Sequence, residues 1–270
     1  MNIQELSKKS AELRKLICTI SCRSKIAHLG TCLSCAEILT VLYFKILDLD
    51  PEAPDREDRD RFLLSKGHGA SALYSVLALR GFITREQAFR QACAGGVDEH
   101  PVWKMLPGVE NTSGSLGHAL SIASGMLLAA RLRKLDFRAF VLMGDGELNE
   151  GSVWETAALA AAKKLNNLCA IVDANRWQAT GRTAEITDME PMPDKFRAFG
   201  WDVIRVNGHD CEALAAALEQ TGKTGKPLAV ICDTVKGKGV DFMEDDNNWH
   251  YRIPKENELA EALKQLEERS

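Results

Sequence analysis

The chain has 270 residues, with 34 lysines and arginines against 38 aspartates and glutamates, and a formal net charge of −4. Its 45% apolar and 27% charged residues are typical of a soluble globular protein and exclude a disordered chain. The apolar runs are far shorter than the roughly 20 residues that span a bilayer. The mildly acidic balance argues against nucleic acid or an anionic membrane as partner. The first residues lack the apolar segment of a signal peptide, so we expect a cytoplasmic protein.

Eight cysteines are spread along the chain. Without a secretory signal we expect them to be reduced and to serve as small apolar side chains. Cys32 and Cys35 form a CxxC motif, but no second CxxC or pair of histidines at zinc-finger spacing accompanies it. The helical pattern that follows the motif favours packing over metal binding.

Hydrophobic periodicity predicts the elements of the N-terminal part. Apolar residues recur at three- and four-residue spacings before residue 20, which is typical of an amphipathic helix. In the next helix, Ser34 followed by Glu37 matches a capping box. The charged, proline-containing segment 48–61 predicts a solvated loop. The predicted elements are helices over 3–20 and 34–47, a strand over 62–65 and a helix that ends at Arg80.

Strands and helices alternate in the second half of the chain, after an irregular segment, 93–117, that is rich in glycine, proline and small polar residues. Continuous apolar strands separated by helices indicate a mainly parallel sheet covered on both faces. We therefore predict a three-layer α/β fold in one domain over residues 1–270. The predicted strands are 139–143, 168–172, 202–206 and 228–232, and the predicted helices 118–135, 151–165, 210–220 and 256–269.

Polar residues follow two consecutive predicted strands. The first strand runs into the glycine-rich segment 144–151 (GDGELNEG), and the next ends at 173–177 (DANRW). Because the carboxyl ends of parallel strands meet at one edge of a sheet, we expect Asp145 and Asn175 to be neighbours. Glycines before a helix allow a phosphate to approach the backbone closely. A carboxylate with an amide oxygen suits Mg²⁺ or Ca²⁺, so the pattern predicts a divalent cation that bridges a diphosphate.

These motifs, with others in the same order along nearly the whole chain, resemble the N-terminal, diphosphate-binding domain of transketolase. The resemblance implies the thiamine-diphosphate-binding fold, with thiamine diphosphate and Mg²⁺ (or Ca²⁺) as cofactors. The matching stretches are AHLG (27–30), FLLSKGHGASALY (62–74), EHP (99–101), LPGVENTSGSLGHAL (106–120), GDGELNEGSVWETA (144–157), NNLCAIVDANR (166–176) and VKGKGVDFME with WH (235–250).

The resemblance implies a cofactor role for particular residues. Asp145 and Asn175 would hold the divalent ion together with the backbone carbonyl of Trp177. Gly146 would contact the diphosphate through its amide, and the backbone of the loop 114–116 would position the aminopyrimidine ring. The implied cofactor-binding set is His68, Gly114, Leu116, Gly144, Asp145, Gly146, Glu147, Asn175 and His250.

Four of the six histidines fall on active-site positions of the transketolase pattern. By this resemblance His28 and His250 would transfer protons, and His100 would bind the terminal hydroxyl of the sugar donor. His68 would lie on the diphosphate side. An imidazole that titrates near neutral pH suits proton transfer at a sugar hydroxyl.

Three further positions bear on the comparison with the family pattern. Glu150 matches a carboxylate that lies at a subunit interface in the family. With His28, His100 and His250 it forms the implied catalytic set, and Glu155 is a nearby companion. His118 replaces a glutamine, so it belongs either to the active site or only to the start of a helix. The segment 27–30 keeps the histidine of the family motif but lacks its proline.

Full-length transketolases continue into pyrimidine-binding and C-terminal domains, for which this chain has no matching residues. The resemblance therefore implies a split transketolase, in which a separate C-terminal subunit supplies those domains in an α2β2 assembly. The pair would transfer a two-carbon ketol unit from a ketose to an aldose. Pentose phosphates, sulfonated sugars and branched sugars all stay open as substrates.

Two alternative functions are weighed against this one. Another thiamine-diphosphate enzyme subunit, such as the α chain of a 2-oxo acid dehydrogenase or a deoxyxylulose-phosphate-type synthase, would share the cofactor site. The four histidines, which sugar ketol transfer uses, favour transketolase. A degenerate subunit kept for assembly is disfavoured because the cofactor motif and the histidines are intact.

Overall fold

A parallel sheet of five strands organises the computed structural model, which describes residues 1–269. The strands are β1 (Arg61–Leu64), β2 (Ala139–Gly144), β3 (Leu168–Ala174), β4 (Asp202–Asn207) and β5 (Leu228–Asp233). Their spatial order is β1-β2-β3-β5-β4, and every neighbouring pair is parallel. The apolar runs of β2, β3 and β5 are buried almost throughout, as expected for strands covered on both faces.

The helices connect and cover these strands. Within residues 1–269 the α-helices are α1 (Ile3–Ser24), α2 (Leu29–Ser34), α3 (Ala36–Val41), α4 (Ala70–Arg80), α5 (Arg85–Phe89), α6 (Ala119–Arg133), α7 (Gly151–Ala162), α8 (Thr183–Ile186), α9 (Met192–Ala198), α10 (Cys211–Leu218) and α11 (Glu256–Glu268). A π-helical turn covers Leu42–Ile46, and short 3₁₀ helices cover Gly67–Gly69, Gly146–Asn149 and Asn247–His250.

Alternating side chains of the sheet divide the interior into two cores. In β1, Phe62 and Leu64 pack with α1 to α4, α10 and α11 on one face. Leu63 packs on the other face, with α6, α7 and α9. The predicted three-layer α/β fold with helices on both faces is confirmed.

The second predicted helix differs from the structure. Instead of one helix over 34–47, α2 and α3 are separated at Cys35, and a π-helical turn follows. The predicted capping box is wrong, because its two side chains make tertiary contacts. The hydroxyl of Ser34 donates to Oδ2 of Asp173 at 2.7 Å, and Glu37 accepts from Nη2 of Arg14 at 2.6 Å.

Segment 93–117 is irregular as predicted, with an isolated bridge between Gln91 and Val97 at its start. The short helices α5, α8 and α9 were not predicted, since few apolar positions mark them. Cys32 and Cys35 are fully buried, in keeping with the predicted packing role. Among residues 1–269 no helix has the length and apolar character needed to cross a membrane.

Candidate active site

Two strand ends bring the predicted cofactor residues together at the C-terminal edge of the sheet. Gly144 at the end of β2 pairs with Asp173 near the end of β3. Asp145 and Asn175 directly follow these two strands. The amide of Asp145 donates to the carbonyl of Asp173 at 3.3 Å. The expected neighbourhood of Asp145 and Asn175 therefore exists in the structure.

The carboxylate of Asp145 is buried and held by three donors. Its Oδ1 accepts from the amide of Gly146 at 2.9 Å. Its Oδ2 accepts from the amide of Arg176 at 2.7 Å and from the hydroxyl of Thr183 at 3.1 Å. Burial and the nearby carboxylate of Asp173 raise the pKa of Asp145 to about 6. A bound cation would therefore stabilise the ionised form of Asp145.

Residues 176–183 form a small hairpin, called here the cofactor hairpin, directly after Asn175. The amide of Thr183 donates to the carbonyl of Arg176 at 3.1 Å, and the amide of Gln178 donates to the carbonyl of Gly181 at 2.9 Å. The amide of Trp177 donates to Oδ1 of Asn175 at 3.1 Å. The hairpin therefore fixes the backbone of Trp177 next to the side chain of Asn175.

A buried ion pair lies at this edge of the sheet and contacts Asn175. Lys66 and Asp173 are both fully buried and form a salt bridge. Burial alone would disfavour both charges, but their mutual attraction holds the pKa of Asp173 below its ordinary value and that of Lys66 above it. Asp173 Oδ2 also accepts from Nδ2 of Asn175 at 2.9 Å. The pair thereby orients Asn175, whose amide oxygen is then turned away from Asp173.

The loop that would position the aminopyrimidine ring is anchored by Glu147. This buried carboxylate accepts from the amide of Gly117 at 2.7 Å, from the amide of Gly144 at 3.2 Å and from the hydroxyl of Ser65. Burial raises the pKa of Glu147. Gly114, at φ 148°, lies close to His100, since a Cβ on it would be 3.9 Å from the ring. Glu147 thus ties this loop to the strand end.

The four predicted histidines form one cluster, although they come from distant segments. The ring centroid of His28 lies 4.9 Å from that of His250, 5.5 Å from that of His68 and 6.5 Å from that of His100. His68 and His250 lie 5.7 Å apart. Tyr251 packs edge-on against His250 at 4.6 Å. The structure therefore brings together all four imidazoles that the sequence analysis selected.

Burial and neighbouring cations keep three of these imidazoles, those of His28, His68 and His250, neutral. Burial, with Lys66 as the next cause, lowers the pKa of His68 to about 2. Burial and Lys236 lower the pKa of His250 to about 3. The pKa of His28 is also lowered, mainly by burial. At neutral pH these three rings are thus uncharged, and each can both accept and donate a hydrogen bond.

Lys236 is a site residue that the sequence analysis did not single out. Its Nζ lies 3.0 Å from Nδ1 of His250 and donates to Oδ1 of Asn247 at 2.7 Å. Burial and the charge of Lys66 lower its pKa to about 8. Lys66 and Asp173 were missed in the same way. The available signal was a charged residue at the end of an otherwise apolar strand, which is costly unless it is paired.

Other selected residues lie outside this cluster. Glu150, the residue before α7, and Glu155 within α7 are exposed. Leu116 is partly buried in the loop before α6. His118 is exposed, and its carbonyl accepts from the amide of Ile122, so it begins α6 with no ring contact to the four histidines in the described part of the chain. These positions could act only with a partner surface or through the backbone.

The residues present fit a divalent cation next to a diphosphate. Among residues 1–269 no cluster of three His, Cys, Asp or Glu side chains could hold a metal ion. The candidate ligands are instead one carboxylate, one amide oxygen and one carbonyl, from Asp145, Asn175 and Trp177. The carbonyl of Trp177 accepts no hydrogen bond within the residues that the structure describes. This hard oxygen set suits Mg²⁺.

The fold and the site together define the class of protein. A parallel α/β sheet whose carboxyl edge combines a Gly-Asp-Gly turn, a neighbouring asparagine and a glycine-rich loop is a diphosphate-binding domain. Comparison with known families agrees: the family described as "Transketolase, thiamine diphosphate binding domain" matches residues 7–267. The chain belongs to this transketolase family.

Individual relatives indicate which kind of transketolase chain this protein is similar to. The chain is 41% identical to an apulose-4-phosphate transketolase subunit of Phocaeicola vulgatus, over 100% of this chain and 96% of the relative. It is 37% identical to the "6-deoxy-6-sulfo-D-fructose transketolase subunit SqwG" of a Clostridium species, over 97% and 96% of the two chains. The crystal structure of Campylobacter jejuni transketolase superposes with a TM-score of 0.93 at 32% identity, covering 99% of this chain and 43% of that one.

The chain thus spans less than half of the full-length transketolase but nearly all of the two relatives that are named as subunits. It is a diphosphate-binding, N-terminal subunit of the split transketolase type. The predicted family and the predicted function as a ketol-transfer subunit are confirmed.

Proposed function

We propose that this chain is active only with a separately encoded C-terminal subunit, in a cytoplasmic α2β2 assembly. Together the two subunits would transfer a two-carbon ketol unit from a ketose to an aldose. The support is the difference in coverage: the chain matches 96% of the P. vulgatus subunit but 43% of the single-chain enzyme of C. jejuni. The exposed Glu150 and Glu155 would then face the partner subunits.

The cofactor site would hold Mg²⁺ and thiamine diphosphate at the carboxyl edge of β2 and β3. Asp145, Asn175 and the carbonyl of Trp177 would bind the cation. Gly144, Gly146, Glu147 and the loop at 114–116 would hold the cofactor, with His68 on the diphosphate side. Thiamine diphosphate, when bound, supplies the covalent carbon chemistry of ketol transfer. The protein supplies orientation and proton transfer around it.

Proton transfer falls to His28 and His250. An ammonium group only donates, so Lys236 makes Nδ1 of His250 the acceptor and leaves the ring proton on Nε2. At neutral pH His250 would therefore present its Nε2–H as a hydrogen-bond donor to the substrate. His28, 4.9 Å away, is neutral and can accept a proton from the C3 hydroxyl of the sugar donor. His100, at the outer end of the cluster, would bind the terminal hydroxyl of the donor.

The observation that carries the proposal is the meeting of two sets of residues at one sheet edge. A diphosphate site alone would suit many thiamine-diphosphate enzymes. The histidine cluster beside it suits a polyhydroxylated substrate, because each imidazole can exchange a hydrogen bond with a sugar hydroxyl. This argues for a ketose donor rather than a 2-oxo acid. The named relatives point to phosphorylated or sulfonated ketoses as the first candidates.

Reconstitution tests the split model. The chain alone should show negligible ketol transfer from xylulose 5-phosphate to ribose 5-phosphate. Mixing it with the product of an adjacent transketolase gene should restore transfer from at least one member of a panel of phosphorylated and sulfonated ketoses. Robust activity of the chain alone would rule out the split model. Decarboxylation of a 2-oxo acid by the pair would favour the alternative enzyme class.

A substitution tests the cation site. Asp145→Ala should abolish magnesium-dependent binding of thiamine diphosphate, measured by isothermal titration calorimetry. Asp194→Ala, on the exposed side of α9, is the matched control and should bind the cofactor like the unsubstituted chain. Unchanged cofactor affinity in Asp145→Ala would remove this residue from the metal site.

A further inference from the structure

The side-chain amide of Gln178, in the cofactor hairpin, has a hydrogen-bond donor that is unpaired within the described part of the chain. Its Nε2 is buried and has no hydrogen-bond partner within residues 1–269. Buried amide groups are nearly always paired, because an unpaired donor loses its bonds to water without replacement. Its backbone amide, in contrast, donates to the carbonyl of Gly181 at 2.9 Å. The side chain therefore presents a donor for which the described chain provides no acceptor.

The side chain of Gln178 lies against the turn that contains Gly146. Gln178 lies directly over Gly146: a Cβ added to Gly146 would be 2.9 Å from Cγ of Gln178 and 3.3 Å from its Cδ. Gly146 follows Asp145 in the turn where a phosphate can approach the backbone. Gln178 also follows Trp177, whose carbonyl is unpaired within residues 1–269. The carboxamide thus lies between the cation ligands and the phosphate-binding turn.

The cofactor hairpin holds Gln178 in place. The tip of the hairpin is fixed by Nδ2 of Asn247, which donates to the carbonyl of Ala179 at 3.1 Å. Its two sides are held by Asp245, which accepts from Nε1 of Trp177 at 2.8 Å and from both terminal nitrogens of Arg182 at 2.6 Å. The guanidinium of Arg182 also stacks on the Trp177 ring at 3.7 Å. A donor on such a braced turn is ordered before a ligand arrives, which reduces the entropy cost of binding.

We propose that Gln178 is a further cofactor-binding residue, whose carboxamide NH₂ donates a hydrogen bond to the diphosphate. This rests on the proposed function, because it takes the diphosphate of thiamine diphosphate as the ligand beside Gly146. An anionic oxygen is the acceptor that best matches a buried, unpaired donor, since hydrogen bonds to charged groups are stronger than neutral ones.

Calorimetry with Mg²⁺ on the complex that the chain forms with its C-terminal subunit tests the assignment. Gln178→Met keeps the volume of the side chain and removes its donor. It should weaken binding of thiamine diphosphate and of inorganic pyrophosphate by the same factor, about tenfold or more. Gln178→Glu should weaken both further, because it places a carboxylate against an anion. Thr180→Ala, at the exposed tip of the same hairpin, is the control and should leave both affinities unchanged.

Several outcomes would overturn the proposal. Unchanged affinities in Gln178→Met would show that the side chain only packs. Loss of thiamine diphosphate binding with pyrophosphate binding intact would move its contact to the organic part of the cofactor. Tighter binding in Gln178→Glu would make residue 178 a cation ligand. Failure of the reconstituted pair with the unsubstituted chain to bind either ligand would instead contradict the proposed function, which separates the two failures.

Discussion

The main-chain amide of His28 donates to the carbonyl of His250 at 2.8 Å, which joins segments from opposite ends of the chain. The same contact places the two imidazole rings 4.9 Å apart. His28 has a left-handed backbone, with φ 67°, which turns the chain into α2 at this point. The relative position of the two proposed proton-transfer groups is therefore set by the backbone as well as by side-chain packing.

Removal of the cation beside His250 should change its protonation. In Lys236→Met, the pKa of His250 should rise from about 3 but stay below 6.5, because burial, the larger cause of its shift, remains. The rate of ketol transfer by the reconstituted pair should fall by about tenfold. This loss is a fraction of the roughly 10²–10⁴-fold rate acceleration that general acid–base catalysis contributes. NMR titration of histidine Cε1 signals would measure the pKa. Lys238→Met is the control, since Lys238 binds Glu244 at 3.1 Å. An unaltered His250 titration in Lys236→Met would contradict this role.

The buried ion pair below the cofactor site should be costly to break. Lys66→Met leaves the charge of Asp173 uncompensated in the interior and should lower the free energy of unfolding by about 3–5 kcal/mol. The double variant Lys66→Met with Asp173→Asn removes both charges and should recover part of this loss. Urea denaturation of the full chain measures both. A loss below about 1 kcal/mol, which is the range for exposed ion pairs, would show that Lys66 is not needed to compensate the charge of Asp173.

Gly117 should not tolerate a side chain. It has φ 82°, and an added Cβ would lie 2.6 Å from Oγ of Ser152 and 2.7 Å from Cβ of Glu150. Gly117→Ala should therefore destabilise the chain by about 1–3 kcal/mol and weaken cofactor binding through the loop that it anchors. Gly125→Ala is the matched control: Gly125 lies inside α6 with no described atom near an added Cβ. It should stabilise the chain by about 0.5–1 kcal/mol. Thermal unfolding with equal losses in the two variants would refute the steric account.

Acid should weaken the contact that replaces the predicted capping box. Burial alone would raise the pKa of Glu37, but Arg14 and His209 outweigh it and lower that pKa from 4.5 to about 2. The ionised carboxylate thus stabilises the fold fully above pH 4.5, and this contribution disappears as the pH falls toward 2. Glu37→Gln should be less stable by about 3 kcal/mol at pH 7, with a shallower decline of stability between these pH values.

The control for this pH dependence is Glu57→Gln, because Glu57 pairs with Arg133 on the exposed surface. Its unfolding curves at each pH should follow those of the unsubstituted chain. Denaturant titrations from about pH 7 to about pH 2, which cover the window where the carboxylate becomes protonated, provide the comparison. Parallel pH curves for Glu37→Gln and the unsubstituted chain would show that Glu37 is not ionised with a lowered pKa in the folded state.

Much of the fold was predictable because its main elements carry local patterns. The four strands of the second half are apolar runs, and each lies where the pattern placed it, to within about two residues. Asp145 and Asn175 were predictable as neighbours, because both directly follow parallel strands. The histidine cluster was selected by resemblance rather than by pattern, since nothing local links His28 to His250.

The break between α2 and α3 shows where local rules fail. Ser34 and Glu37 have the spacing of a capping box, which is worth about 1 kcal/mol. The structure uses both side chains elsewhere, on Asp173 and on Arg14, where buried charges need partners. A buried charge without a partner costs more than a missing cap, so the tertiary contacts prevail.

The sequence by itself determined the order of strands and helices along the chain, the family, and the polar residues that close β2 and β3. Periodicity and strand-end chemistry are properties of neighbouring residues, so they can be read locally. Only the tertiary structure decided that Lys66 pairs with Asp173, that Lys236 contacts His250 and that Gln178 covers Gly146. These contacts join distant segments, and burial makes each of them strong or costly, which no local pattern records.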